Sequence, residues 1–142
     1  MKLLLSSVLA LGFCGLAGAE DKKDPSVGKW VVESVVRDGK AVDAYKGGTR
    51  VNGEGKYAFT PPADSKIPAS TGTYTIDASK TPITFDAVAK GGTFDGKTLL
   101  GIFKVEGDTM TVAFAEPGKD RPTKFESAAG SGVVLTVYKK AK

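Results

Sequence analysis

Apolar and polar positions alternate with a period of two along most of the chain, most legibly over residues 98–115, T-L-L-G-I-F-K-V-E-G-D-T-M-T-V-A-F-A. Leu99, Phe103 and Val105 share one side, Glu106-Gly107-Asp108 interrupts the run, and Met110, Val112 and Phe114 resume it. That pattern predicts two half-buried strands joined by a tight turn.

The same device recurs on both sides of this hairpin. Residues 29–37 predict a strand with Trp30, Val32, Ser34 and Val36 on one face, ended by the turn pair Asp38-Gly39. Residues 49–52 and 56–60 predict a hairpin around Gly53-Glu54-Gly55, with Tyr57 and Phe59 inward. Further on, 71–77 put Gly72, Tyr74 and Ile76 on one side, and 82–88 turn Ile83, Phe85 and Ala87 inward. The last strand is expected at 133–138, where Val134, Thr136 and Tyr138 oppose Val133, Leu135 and Val137. Only 42–47 looks helical, with Asp43 placed to cap a single turn and Gly47 or Gly48 to stop it. Among the connections, 63–70 has no periodicity and predicts an exposed link. Residues 116–125 (E-P-G-K-D-R-P-T-K-F) predict an ordered loop pinned by Phe125, and 127–132 a small, flexible segment.

Eight short strands separated by turn chemistry predict an all-β chain folded as an eight-stranded antiparallel up-and-down barrel, since pairing the first strand with the last hides both edges. An open sandwich is the alternative. A barrel of this size either fills itself with side chains or holds one small ligand.

The start of the chain has a different character. Lys2, an apolar run over 3–16 and the small residues Ala17-Gly18-Ala19 have the layout of a signal peptide cleaved before Glu20. The run is short for a bilayer span and is interrupted by Ser6, Ser7, Gly12 and Gly15, so no stable membrane span is expected. Residues 1–19 are thus read as leader, 20–26 as a flexible lead-in, 27–139 as the barrel domain and 140–142 as a basic tail. The expected destination is outside the cytoplasm: periplasm, cell surface or medium. Cys14 is the one cysteine, and Phe13 stands before it where a lipoprotein signal wants a small residue, which disfavours lipidation. Cleavage would leave no thiol, so stability must come from packing.

Charge narrows the options only a little. The chain has 20 Lys plus Arg against 16 Asp plus Glu, with lysines scattered apart from Lys139, Lys140 and Lys142. This modest excess, together with export, argues against nucleic acid as a partner. There is no histidine. Without histidine or a retained cysteine, the commonest metal ligands and nucleophile–base pairs are missing, and no catalytic residue, metal site or cofactor is expected. Asp86, Asp95, Asp108 and Asp120 would have to serve a carboxylate hydrolase. Asp95 and Asp108 adjoin glycines at turns and Asp86 falls on an outward strand face, so turn-making and solvation account for them.

Several short motifs carry a resemblance: Gly28-x-Trp30, Asp38-Gly39-Lys40, Gly72-Thr73-Tyr74, Leu99-Leu100-Gly101-Ile102-Phe103, Gly107-Asp108-Thr109, Pro117-Gly118-Lys119, Arg121-Pro122-Thr123-x-Phe125 and Gly130-x-Gly132. In that order, over residues 27–139, they resemble the lipocalin-like domain of unknown function found in many copies in planctomycete bacteria. The resemblance implies an exported barrel and, the family having no assigned activity, no catalytic residues. Gly28-x-Trp30 is also similar to the opening signature of true lipocalins, in which the tryptophan closes one barrel end beneath an arginine near the chain terminus. This chain offers Lys139 and Lys140 there.

Two functions remain open on the residues. In one, Tyr57, Phe59, Tyr74, Phe85, Phe103 and Phe114 partly line a cavity for a small apolar or aromatic ligand, with Gly28 and Trp30 closing the barrel end. In the other, those aromatics fill a core and the domain is a scaffold that meets a protein partner at the cell surface. Arg121, between Asp120 and Pro122, either latches its loop to backbone carbonyls or meets an anion or a partner.

Overall fold

The computed structural model describes residues 24–142; the expected leader, with Cys14, and the start of the lead-in lie outside the described residues. Nine strands follow among them: β1 (Gly28–Arg37), β2 (Lys40–Ala41), β3 (Thr49–Gly53), β4 (Lys56–Thr60), β5 (Ser70–Asp77), β6 (Ile83–Lys90), β7 (Thr98–Glu106), β8 (Thr109–Ala115) and β9 (Val133–Lys140). Consecutive strands from β3 to β9 pair antiparallel, β3 also pairs with β1, and β1 closes onto β9 from Trp30 opposite Lys140 to Arg37 opposite Val134. The eight-stranded up-and-down barrel is therefore the fold, and the ladder between β1 and β9 replaces the two edges an open sandwich would expose. The ninth strand, β2, is a two-residue flap that turns back onto the end of β1.

Turn residues fix where each strand stops. Asp38-Gly39 (φ 53° and 81°) and Glu54-Gly55 (φ 51° and 75°) are both left-handed pairs, the backbone that a two-residue hairpin with right-handed strand twist requires. The expected single helical turn is present as a 3-10 turn, Asp43–Tyr45, but Asp43 does not cap it: Val42 holds the cap position and no side chain bonds there.

One expected face is corrected. The sequence alternation places Ser34 and Val36 beside Trp30 and Val32, yet Ser34 is exposed and Val35 is buried. The cause is a β-bulge: Val32 lies opposite Tyr138 and Ser34 opposite Val137, which leaves Glu33 unpaired and reverses the facing of every later residue in β1. The reversal keeps a hydroxyl out of the core. It also turns Arg37 toward the barrel mouth.

Two inward glycines make room for rings on the neighbouring strand. Gly72 lies opposite Tyr57 and Gly101 opposite Phe85. A methyl group at Gly101 would meet Phe85 Cζ at 2.3 Å, and one at Gly72 would meet Tyr57 Cε2 at 2.5 Å. Each aromatic thus lies across its partner's missing side chain, a recurrent way to bend and pin a sheet.

The barrel wall is buried on its outer side too. Ile102, Ala113 and Ala115 alternate with the inward Phe103, Val112 and Phe114, yet they are at most 2% exposed. The long connection between β8 and β9 passes over this side. Arg121 anchors it, with Nη1 donating to the carbonyls of Phe85 (2.6 Å) and Gly101 (3.0 Å) and Nη2 to Asp86 Oδ1 (2.7 Å). Phe125 lies against Lys104, and buried Pro122 completes the strap. The end of this connection, expected to be loose, is bonded at both faces: Ser127 Oγ donates to the Val133 carbonyl at 2.6 Å, and the Gly132 N–H donates to Asp38 Oδ1 at 2.9 Å.

Candidate functional site

The interior divides into a closed end and an open end. The N-terminal approach, the β3–β4, β5–β6 and β7–β8 turns and the end of β9 gather at the closed end. Trp30 lies in its centre, fully buried, in one cluster with Val32, Phe103, Met110 and Tyr138. Lys140 Nζ stands 4.9 Å from the Trp30 ring centroid, so a lysine from the end of β9 covers the indole. Gly28 (φ +132°) lies beneath the same lysine, 3.1 Å from its Nζ were a methyl group added.

Polar groups finish this closure. Trp30 Nε1 donates to the Ser26 carbonyl at 2.9 Å, Ser26 Oγ donates to Asp24 Oδ1, and Asn52 Nδ2 donates to Ser26 Oγ at 3.1 Å. The Tyr74 hydroxyl donates to Asp24 Oδ2. Burial, and then that bond to a carboxylate, push the Tyr74 hydroxyl up to about 12. The last residues of the lead-in therefore plug the barrel. A small void of about 20 Å³ lies among Ser26, Asn52, Tyr74, Phe103 and Met110.

The opposite half is hollow. A cavity of about 160 Å³, partly open to solvent, lies inside the wall formed by Val35, Ala87, Ala89, Leu99, Phe114 and Val134. Small side chains create it: β6 runs inward as Ile83, Phe85, Ala87 and Ala89 from the closed end to the mouth, so bulk diminishes along the strand. Ile67 and Pro68, from the connection expected to be merely exposed, reach the mouth, as do Tyr45 and Phe59, whose rings are 6.1 Å apart. Phe94, in the β6–β7 loop, stands edge-on to Phe114 at 6.1 Å with Arg37 5.8 Å from its ring. That loop is held by Asp95, whose Oδ1 accepts the Gly91 N–H at 2.7 Å.

Of the six candidate lining aromatics, Tyr57, Phe59, Phe85 and Phe114 border this cavity. Tyr74 and Phe103 border the small closed-end void instead. The sequence alone also passed over Arg50, Leu99, Thr136 and Tyr138. Their strand parity was available for all four, but an arginine between Thr49 and Val51 gives no sign of facing inward until β3 is placed against β1 and β4.

Arg50 is the polar centre of the interior. Its Cζ stands 4.2 Å from the Tyr57 ring centroid and its Nε donates to Asn52 Oδ1 at 2.8 Å. It borders both the hollow and the small void. Burial pushes the Tyr57 hydroxyl up; the Arg50 charge opposes this and Tyr138 reinforces it. Arg121, by contrast, spends its guanidinium on the outer wall in the geometry of a latch. Asp86, read as a solvated acid, is its ion-pair partner at 2.7 Å. Among the described residues no group of three or more Asp, Glu, His or Cys is gathered as a metal site, and no helix is long and apolar enough to cross a membrane.

Fold and site together define a closed antiparallel barrel with a tryptophan-plugged base and a hollow, partly open top. No family model, curated protein or solved structure matches the chain.

Proposed function

We propose that this is an exported, non-catalytic, lipocalin-like module that takes a small apolar or aromatic molecule into the open half of its barrel. The observation that carries the proposal is the cavity of about 160 Å³, walled mainly by aliphatic and aromatic side chains. An apolar hollow of about 150 Å³ in another protein is large enough to admit benzene. A scaffold with a filled interior would have no use for such a space.

Membership of the planctomycete lipocalin-like family belongs to the same proposal. It is supported by the structural work its motif residues do: Trp30 plugs the base, Gly72 and Gly101 accept rings, and Arg121 fastens the strap. Titrating toluene into ¹⁵N-labelled protein should give saturable shifts at the amides of Leu99, Phe114 and Val134, with little change at Trp30 and Met110. Absence of any saturable shift would overturn the proposal. Export is tested separately, since protein isolated from its own host should begin at Glu20.

A further inference from the structure

Resting on that binding function, we infer that the barrel's ligand is a small monocarboxylate with an apolar body, its anionic end held by Arg50 together with the hydroxyls of Tyr57 and Tyr138.

The inference begins with how the arginines are partnered. Arg37 gives Nε and Nη2 to Glu116, at 2.9 and 2.6 Å, and Arg121 gives Nη2 to Asp86. Arg37 and Arg50 both border the hollow, but Arg50 alone of the two has no ion-pair partner among the described residues; its contacts are the Asn52 side-chain oxygen Oδ1 and the Tyr57 ring, both neutral. Asp24, the acid on this side of the barrel, is already engaged by Ser26 and Tyr74. Arg50 is only half-buried, so water now screens its charge, and an anion entering the hollow would replace that water with a direct partner.

The second observation is a set of unused donors. Nη1 and Nη2 of Arg50 and the hydroxyls of Tyr57 and Tyr138 donate to no atom among the described residues. No fully buried side-chain nitrogen or oxygen lacks a partner among the described residues. These donors therefore open onto space, and the residues that carry them border the hollow. A planar fork of N–H groups matches the two oxygens of a carboxylate, and two phenolic O–H groups add neutral donors beside it. Above them the wall is mainly Ala87, Ala89, Leu99, Phe114 and Val134, suited to an apolar body, and Arg37 near the mouth is already paired with Glu116.

Size sets the limit on that body. The hollow has room for about one ring or a short branched chain, which excludes a long acyl tail lying wholly inside.

Phenylacetate and 2-phenylethanol test this as a pair, because they share a carbon skeleton and differ in the anionic end. Acetate supplies the charge without the body. By calorimetry at pH 7 the wild-type protein should bind phenylacetate at least tenfold more tightly than 2-phenylethanol, with acetate weaker than either. Arg50→Met should lose tenfold or more for phenylacetate and less than threefold for 2-phenylethanol. Tyr57→Phe should lose a few-fold for the acid alone. Equal binding of acid and alcohol by the wild type would overturn the inference while leaving an apolar binding site standing. A preference that survives in Arg50→Met, or acetate binding as tightly as phenylacetate, would overturn it too. If neither aromatic probe binds, the broader binding function falls with it. Should Arg50→Met fail to fold, Arg50→Lys decides: it keeps the charge but not the fork, and undiminished preference for the acid would count against a bidentate cradle.

Discussion

At the base of the barrel Trp30, Met110 and Phe103 leave at most 3% of their surface to water, whereas near the mouth Phe59, Phe94 and Phe114 stay only half-buried around a hollow. The same strands supply both ends, with the same inward and outward alternation. What differs is side-chain volume and what lies across the opening. Toward the base, bulky residues on facing strands meet and the segment around Ser26 is hydrogen-bonded over them. Toward the mouth, Ala87, Ala89, Val134 and Thr136 point inward and leave space that the side chains do not fill. Stability and binding capacity are thus separated along the barrel axis: substitutions at the base should be read in unfolding, and those near the mouth in ligand affinity.

The largest test of this division is Trp30→Ala. Removing a fully buried indole creates a cavity in the packed half and also deletes the N–H bond to Ser26, so chemical denaturation should report a loss of about 3–5 kcal/mol. An unchanged unfolding midpoint would mean that the base is not what holds the barrel together. A smaller effect is expected at Tyr74, whose hydroxyl bonds Asp24 within the same plug. Tyr74→Phe should cost about 2 kcal/mol near neutrality, the net value of a hydrogen bond to a charged group. The pH profile carries more information. In the folded protein the Tyr74 hydroxyl is raised from 10.0 to about 12, so it stays neutral where the unfolded chain ionises. Its stabilisation is complete below pH 10 and is lost as pH rises toward 12. Stability of the wild type should therefore fall more steeply than that of Tyr74→Phe over that interval; parallel curves would remove Tyr74 from the plug's energetics.

The division also explains what was legible beforehand. Strand existence, turn positions and barrel closure follow from period-two patterning and from pairs such as Asp38-Gly39 and Gly107-Asp108, which act locally and leave a clear trace. The base was legible for the same reason, since a tryptophan opening the first strand has few places to go. The bulge at Glu33 was not, because V-V-E-S-V-V reads as smooth alternation in either register until β9 is laid against it. The hollow was the least legible feature. A cavity is a difference between the volume a backbone encloses and the volume its side chains supply, and only the second term is written in the sequence. Most motif residues behind the family resemblance fit this pattern: Gly28, Trp30, Gly72, Gly101 and Arg121 serve the frame and lie away from the hollow, while Leu99 borders it.

The finest test fills the mouth and leaves the base alone. Ala89 points into the hollow from β6, is 5% exposed, and belongs to neither of the two packed clusters, unlike its neighbour Ala87. Enlarging a side chain in a well-packed core usually costs about 1–3 kcal/mol because neighbours must leave their rotamers. At Ala89 the added atoms enter space that is already present, so the new apolar contacts offset the lost side-chain freedom. Ala89→Leu should shift the unfolding free energy by less than about 1 kcal/mol in either direction while weakening toluene at least tenfold. A large destabilisation with binding intact would show that the mouth is as tightly constrained as the base, and that the interior has one regime of packing instead of two.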